Sequence, residues 1–183
     1  HLKNVRQLTF GGQNAEGYFS FDNKKMTFQA TYPGSTNCDQ IYQLDLMQDP
    51  QSQVAKRMST GLGVTTCSFF LGDNEHFIYA TTIAQVHGRM NITAQSPTDT
   101  FDTCVPKTCS NVKNITDPEL RKICLTDYTW DIFPEMDIYK ADKYGNIVSR
   151  LTSTPGYDAE GVVSPDGKYI AFTSLRSGDL ELW

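Results

Sequence analysis

The stretch Ser164-Pro-Asp-Gly-Lys-Tyr-Ile-Ala-Phe-Thr-Ser174 reads as the end of a strand, a tight turn and a second strand. Pro165 fixes φ, and Asp166-Gly167 supplies the turn, because glycine accepts a positive φ without a steric penalty. From Lys168 to Ser174 the residues alternate, with Ile170 and Phe172 on one face and Tyr169, Ala171 and Thr173 on the other. One hairpin does not define a fold, but the chain writes this hairpin more than once.

The last copy contains Arg150-Leu-Thr152, Asp158-Ala-Glu-Gly161, Ser164-Pro-Asp-Gly167 and Ile170-Ala-Phe172, and ends in Glu181-Leu-Trp183. Near the start stand Gln7-Leu-Thr9, Asn14-Ala-Glu-Gly17, Ser20-Phe-Asp-Asn23, Met26-Thr-Phe28 and Gln40-Ile-Tyr42. Ser20 to Phe28 and Ser164 to Phe172 are both eight residues apart. A worn middle copy offers Arg57-Met-Ser59, Thr66-Cys-Ser68, Leu71-Gly-Asp-Asn74 and Phe77-Ile-Tyr79, and closes with Asp137-Ile-Tyr139 only after a long detour. Periods of about 40 to 50 residues built from four strand-sized pieces predict propeller blades.

The run of Leu-Thr, Ser-Pro-Asp-Gly, Ile-Ala-Phe-x-Ser-x-Arg (Ile170 to Arg176) and Asp-Ile-Tyr resembles the repeat of TolB-like (WD-like) β-propellers. The resemblance covers nearly all of the chain except the detour, and is strongest from Thr152 to Asp179. It implies an all-β fold of four-stranded blades around an axial channel. That family closes six blades, and this chain holds about three, which reads as one partial propeller domain over 1–183. The blades fall at approximately 10–59, 64–152 and 157–183, with a cysteine-containing insertion at 83–128 inside the second. Val5 to Thr9 reads as an outer strand, and the stop at Trp183, part-way through a repeat, reads as the end of a fragment.

Composition narrows the function classes. Net charge is −5, and the sixteen basic residues are scattered singly, which argues against a nucleic-acid partner. No apolar run approaches the ~18 residues of a membrane helix. The chain opens on His1 and lacks an apolar targeting stretch, as a processed mature protein would. Cys38, Cys67, Cys104, Cys109 and Cys124 lack the paired C-x2-C spacing of a zinc site, so all five are disulfide candidates in an oxidising compartment. Two sequons, Asn91-Ile-Thr93 and Asn114-Ile-Thr116, lie in the same polar insertion and suggest an extracellular glycoprotein. Within the insertion, Asp117 reads as the N-cap of a short helix, with Pro118 in its first turn and Leu120, Ile123 and Cys124 on one face.

Catalytic signatures are missing from the sequence. There is no nucleophile elbow, no H-E-x-x-H, no phosphate loop and no dinucleotide fingerprint, and His1, His76 and His87 are scattered. The remaining chemistry lies in Glu16 and Glu160, each in Ala-Glu-Gly, with Asn14 and Asp158 two residues earlier. The resemblance places these inner strands beside the axial channel, and Thr66 stands at the corresponding place in the worn copy. Converging carboxylate and amide oxygens there are weak candidates for a hard cation such as Ca²⁺, or for a basic partner segment. Otherwise no cofactor is expected. By the same resemblance Arg176 pairs with an acid of a neighbouring blade. The expected function is a non-enzymatic, secreted binding or scaffolding propeller, which recognises protein, peptide or glycan through the channel mouth and insertion. Two alternatives stand beside it. One is the propeller part of a carbohydrate-active or peptidase enzyme whose catalytic groups lie outside this chain. The other is a structural subunit that self-assembles through its blade edges.

Overall fold

The computed structural model describes residues 1–32, 38–84, 112–125, 130 and 132–183. Three antiparallel sheets follow one another along the chain. The first is β1 (Gln13–Phe19), β2 (Lys25–Thr31), β3 (Gln40–Asp45) and the two-residue β4 (Lys56–Arg57), in that spatial order. The second is β5 (Thr65–Phe70), β6 (His76–Thr81), β7 (Asp137–Asp142) and β8 (Ile147–Arg150). The third has β9 (Asp158–Val163), β10 (Ile170–Ser174) and β11 (Glu181–Leu182). Each sheet is an up-and-down meander whose first strand is innermost, and β5 packs between β1 and β9. This is blade architecture.

The turns explain why the hairpins close where they do. Ser20 donates its hydroxyl to Asp22 at 2.6 Å, and the backbone NH of Lys25 donates back to the Ser20 oxygen at 2.9 Å. Ser164 and Asp166 repeat the clasp, with O–H···O at 2.7 Å and the NH of Tyr169 on the Ser164 hydroxyl at 3.0 Å. In the middle blade Asp73 accepts from the NH groups of Glu75 and His76, both at 2.9 Å. Asn23, Asn74 and Gly167 take the left-handed position of their turns, with φ of 57°, 54° and 72°. Short amide side chains tolerate that region nearly as well as glycine.

Blade packing is carried by the alternation of β6. Phe77 and Tyr79 face the first blade with Ile41 and Met58, while Ile78 and Ala80 face the third with Ile138, Ala159 and Val163. All are nearly inaccessible to solvent. A polar seam runs beside the first of these layers. Gln40, fully buried, donates to the Gly63 carbonyl at 2.9 Å and accepts from Ser59 at 2.6 Å and the Gly61 NH at 3.0 Å, so the buried amide is satisfied. The turn between β7 and β8 presses against the first blade at Gly145. Its φ is +95°, and a Cβ there would lie 2.7 Å from the Met58 carbonyl oxygen, so only glycine fits.

Two buried hydroxyls stand out, Tyr79 Oη and Thr81 Oγ1, which have no hydrogen-bond partner among the described residues. An unpaired buried donor stabilises nothing and costs its desolvation. Tyr79→Phe is therefore expected to leave stability unchanged or raise it by up to about 1 kcal/mol in equilibrium urea unfolding. A loss of more than about 1 kcal/mol would instead reveal a bridging water at that oxygen.

Between the paired residues Thr81 and Asp137 the chain makes its detour. The helix expected there is present as α1 (Pro118–Cys124), capped by the Asp117 carboxylate, which accepts from Glu119 NH at 2.9 Å and Leu120 NH at 3.1 Å. It buries none of its side chains, so Leu120 and Ile123 do not form a core-facing stripe. Residues 85–111 and 126–128 of the predicted insertion, with His87, Asn91, Cys104 and Cys109, lie outside the described residues. The chain from Val5 to Thr9 is not a strand. A strand needs a neighbour to pair its backbone, and among the described residues no ladder reaches it, though Leu8 packs against the first blade. No helix of the described residues is long and apolar enough to cross a membrane.

Candidate functional site

Every inner strand is broken by a bulge at the same place. Register slips between Ala15 and Tyr18 in β1, between Thr66 and Phe69 in β5, and opposite Ala171–Thr173 in β9. The residue that opens each bulge is left-handed: Glu16 at φ 51°, Cys67 at 42° and Glu160 at 58°. None is glycine, asparagine or aspartate, the residues that adopt this conformation with least strain, so the surrounding sheet imposes it. The middle counterpart of the two glutamates is thus Cys67, not Thr66. Thr66 pairs with Ala80 before the slip and donates to Gln29 of the first blade at 2.8 Å.

The bulges leave the two glutamates exposed; Glu160 stands among the buried Asp158, Ala159 and Gly161, whereas the neighbours of Glu16 are exposed like it. Glu16 accepts from the Tyr18 hydroxyl at 2.7 Å, and Glu160 from the Thr173 hydroxyl at 2.8 Å. The Glu16 carboxylate holds the Tyr18 hydroxyl well above the usual phenol range, with burial adding to it. Tyr18 packs its ring on Phe69 at 5.6 Å, and Phe69 meets Phe21 edge-on at 6.4 Å. Where the first two blades meet, the Glu16 carboxylate thus stands beside a cluster of three aromatic rings.

Cys67 lies in the same neighbourhood. Burial pushes its thiol up to about 11; the carboxylates of Glu16 and Glu160 add to the rise, and a contact from the Thr66 hydroxyl opposes it. One side chain thus feels the acids of both flanking blades, in keeping with the packing of β5 against β1 and β9. Cys67, one of the five disulfide candidates of the sequence, is instead a free, buried thiol. Cys38 and Cys124 are disulfide-bonded. Because the folded thiol titrates above the unfolded one, its contribution is complete below pH 9 and is lost as pH rises from about 9 to about 11. The stability advantage of the wild type over Cys67→Ala is expected to shrink across that window in unfolding titrations. Iodoacetamide at pH 8 is expected to label Cys67 only on unfolding.

The other candidates of the cation set have partners of their own. Both carboxylate oxygens of Asp158, 1 % exposed, are engaged: Ser174 donates at 2.5 Å and Arg176 at 3.0 Å. Arg176 therefore pairs within its own blade, not with a neighbour as expected. The reason is local, since Ser174 also accepts from the Arg176 side chain at 2.9 Å and so fixes the guanidinium beside Asp158. Asn14 donates to the Gly11 carbonyl at 2.9 Å and accepts from the Tyr32 hydroxyl at 3.0 Å. Among the described residues, no group of three or more His, Cys, Asp or Glu side chains is assembled to hold a metal ion. His76 is committed to Asp73, with Nδ1 2.7 Å from the carboxylate.

No protein-family model and no curated protein matches the chain. Solved structures do match. A structure from Agrobacterium tumefaciens assigned to TolB superposes with a TM-score of 0.55 at 18% identity, over 92% of this chain and 40% of its own. TolB from Acinetobacter baumannii superposes with a TM-score of 0.53 at 24% identity, over 94% of this chain and 30% of its own. The chain thus spans less than half the length of either protein. At such identities the likeness speaks for the fold, and the fold is a TolB-like β-propeller.

Proposed function

We propose that this chain is a non-enzymatic binding propeller of the extracellular space, which takes a basic peptide or protein segment at its channel mouth. The observation that carries the reading is the placing of two exposed glutamates, Glu16 and Glu160, at the same left-handed bulge position of the strands that flank β5, with Glu16 bonded to Tyr18 beside Phe69. Two carboxylates on rigid inner strands attract an ammonium or guanidinium, and the aromatic cluster suits the aliphatic stem of a lysine or arginine. The acidic net charge favours the encounter. That Cys38 and Cys124 are each disulfide-bonded is in keeping with an oxidising compartment.

The test is fluorescence anisotropy with a labelled oligolysine at low salt. Each exposed charge contact is worth up to about 1 kcal/mol, so Glu16→Gln combined with Glu160→Gln is expected to weaken binding roughly tenfold. Equal affinity of the double variant, or no binding by the wild type, would overturn the reading.

A specific observation also favours assembly. The outer face of the first blade holds a cleft of about 720 Å³ lined by Leu8, Phe10, Tyr32, Leu44 and Val54. The third blade leaves Val162, Leu180, Leu182 and Trp183 exposed, at 41%, 43%, 81% and 49%. These are the two faces that, inside the chain, blades press against one another. Sedimentation across a concentration series tests association, and a monomer throughout would dismiss it.

A further inference from the structure

We infer that Asn114 carries an N-linked oligosaccharide, an inference that rests on the extracellular reading above. The motif alone, Asn114-Ile115-Thr116, has a commonplace explanation. Asparagine and threonine just ahead of a helix usually cap it. Here that role is already taken. Asp117 alone accepts the NH groups of Glu119 and Leu120, and its extended backbone (φ −72°, ψ 118°) makes it the cap residue.

Asn114 and Thr116 are left over. Both are exposed, and neither side chain enters a hydrogen bond among the described residues. Asn114 closes a single 3-10 turn (Val112–Asn114) with no buried residue, ahead of a helix that buries none either. A sugar on this amide nitrogen therefore displaces no packing and breaks no hydrogen bond among the described residues. The sequon also meets its chemical rules: the middle residue is Ile115, and the hydroxyl of Thr116 is free to assist the amide. Cys124, at the end of the same helix, is disulfide-bonded, which matches the lumenal compartment where such transfer occurs.

The reaction balances without any oxidant. The Asn114 amide nitrogen attacks C1 of a lipid-pyrophosphate-linked oligosaccharide. An N–C bond forms, the C1–O bond to the pyrophosphate breaks, the amide gives up one proton, and the lipid pyrophosphate leaves. The asparagine loses a donor and gains a bulky hydrophilic group at a site that faces water.

The experiment uses the chain purified from its natural source. Trypsin cuts after Lys113 and Arg121 and isolates the site in one peptide, Asn114-Ile-Thr-Asp-Pro-Glu-Leu-Arg121. The untreated digest is expected to lack this peptide at its unmodified mass. After peptide-N-glycosidase treatment in ¹⁸O water the peptide is expected to appear with a heavy aspartate at 114. Thr116→Val, which leaves both Asn114 and the Asp117 cap in place, is expected to abolish the modification. An unmodified wild-type peptide at full yield would overturn the inference, and so would a glycan that survives Thr116→Val. Alkylation of the denatured chain without reduction separates the two failures. If Cys38 and Cys124 are protected while the peptide is bare, only the glycan is refuted; if they alkylate freely, the extracellular reading itself falls.

Discussion

Phe77→Ala is expected to lower the unfolding free energy by about 3–5 kcal/mol, the range for emptying a well-packed aromatic site. Phe77 is 2% exposed and sits on the face of β6 that meets the first blade. It stacks on Tyr79 at a centroid distance of 5.7 Å and leans on Phe70 at 6.5 Å. Strands pair on both sides of β6, so the backbone cannot collapse into the space that the ring vacates. A shift of the urea midpoint at unchanged slope would report that loss directly. Ile147, 37% exposed on β8, serves as the control, and Ile147→Ala is expected to cost less than about 1 kcal/mol. If the two variants lose the same amount, the first two blades do not share the layer described.

The second large effect is electrostatic. Arg176→Met is expected to cost about 2–3 kcal/mol, because it leaves Asp158 charged and buried with only Ser174 as a partner. Breaking a fully buried pair costs about 3–5 kcal/mol, and the estimate is set lower because the arginine side chain is 25% exposed and water can reach the site it vacates. Some of the loss comes from the rings that sandwich the guanidinium, Phe172 at 4.8 Å and Trp183 at 5.2 Å. Methionine retains much of that apolar contact, which isolates the charge effect. Adding Asp158→Asn is expected to restore stability to within about 1 kcal/mol of wild type, since the stranded charge is then gone. A double variant no better than Arg176→Met would mean that the loss is one of packing.

The sequence disclosed what short-range chemistry decides. The Ser-x-Asp clasps of Ser20 and Ser164 close their own turns within a few residues, and Asp117 caps its helix the same way. Their readings needed no tertiary information. Val5 to Thr9 resembles an outer strand, yet it forms none here, because a strand is made by its neighbour and no ladder among the described residues reaches it. The partner of Arg176 was misassigned for a related reason: the choice between its own blade and the next depends on rotamers that Ser174 fixes.

The bulges were half legible. The repeated Ala-Glu-Gly drew attention to Glu16 and Glu160, but the glycine is replaced by Ser68 in the middle blade, so the copies fell out of step. Counting back from the turn recovers the frame. Glu16, Cys67 and Glu160 each stand four residues before Ser20, Leu71 and Ser164, whose backbone NH groups open equivalent hairpins onto Lys25, His76 and Tyr169. Backbone position, not residue type, is what the repeat keeps.

That separation has an evolutionary corollary. At the three left-handed residues the main chain takes the same path between the same flanking ladders whichever side chain stands there. Glutamate and cysteine occupy the same backbone slot in neighbouring blades without altering the sheet around it. Such a position can change its chemistry in one substitution while the architecture stands. A lineage built on these blades can therefore explore new ligands along its axis one residue at a time, with stability and specificity free to drift separately.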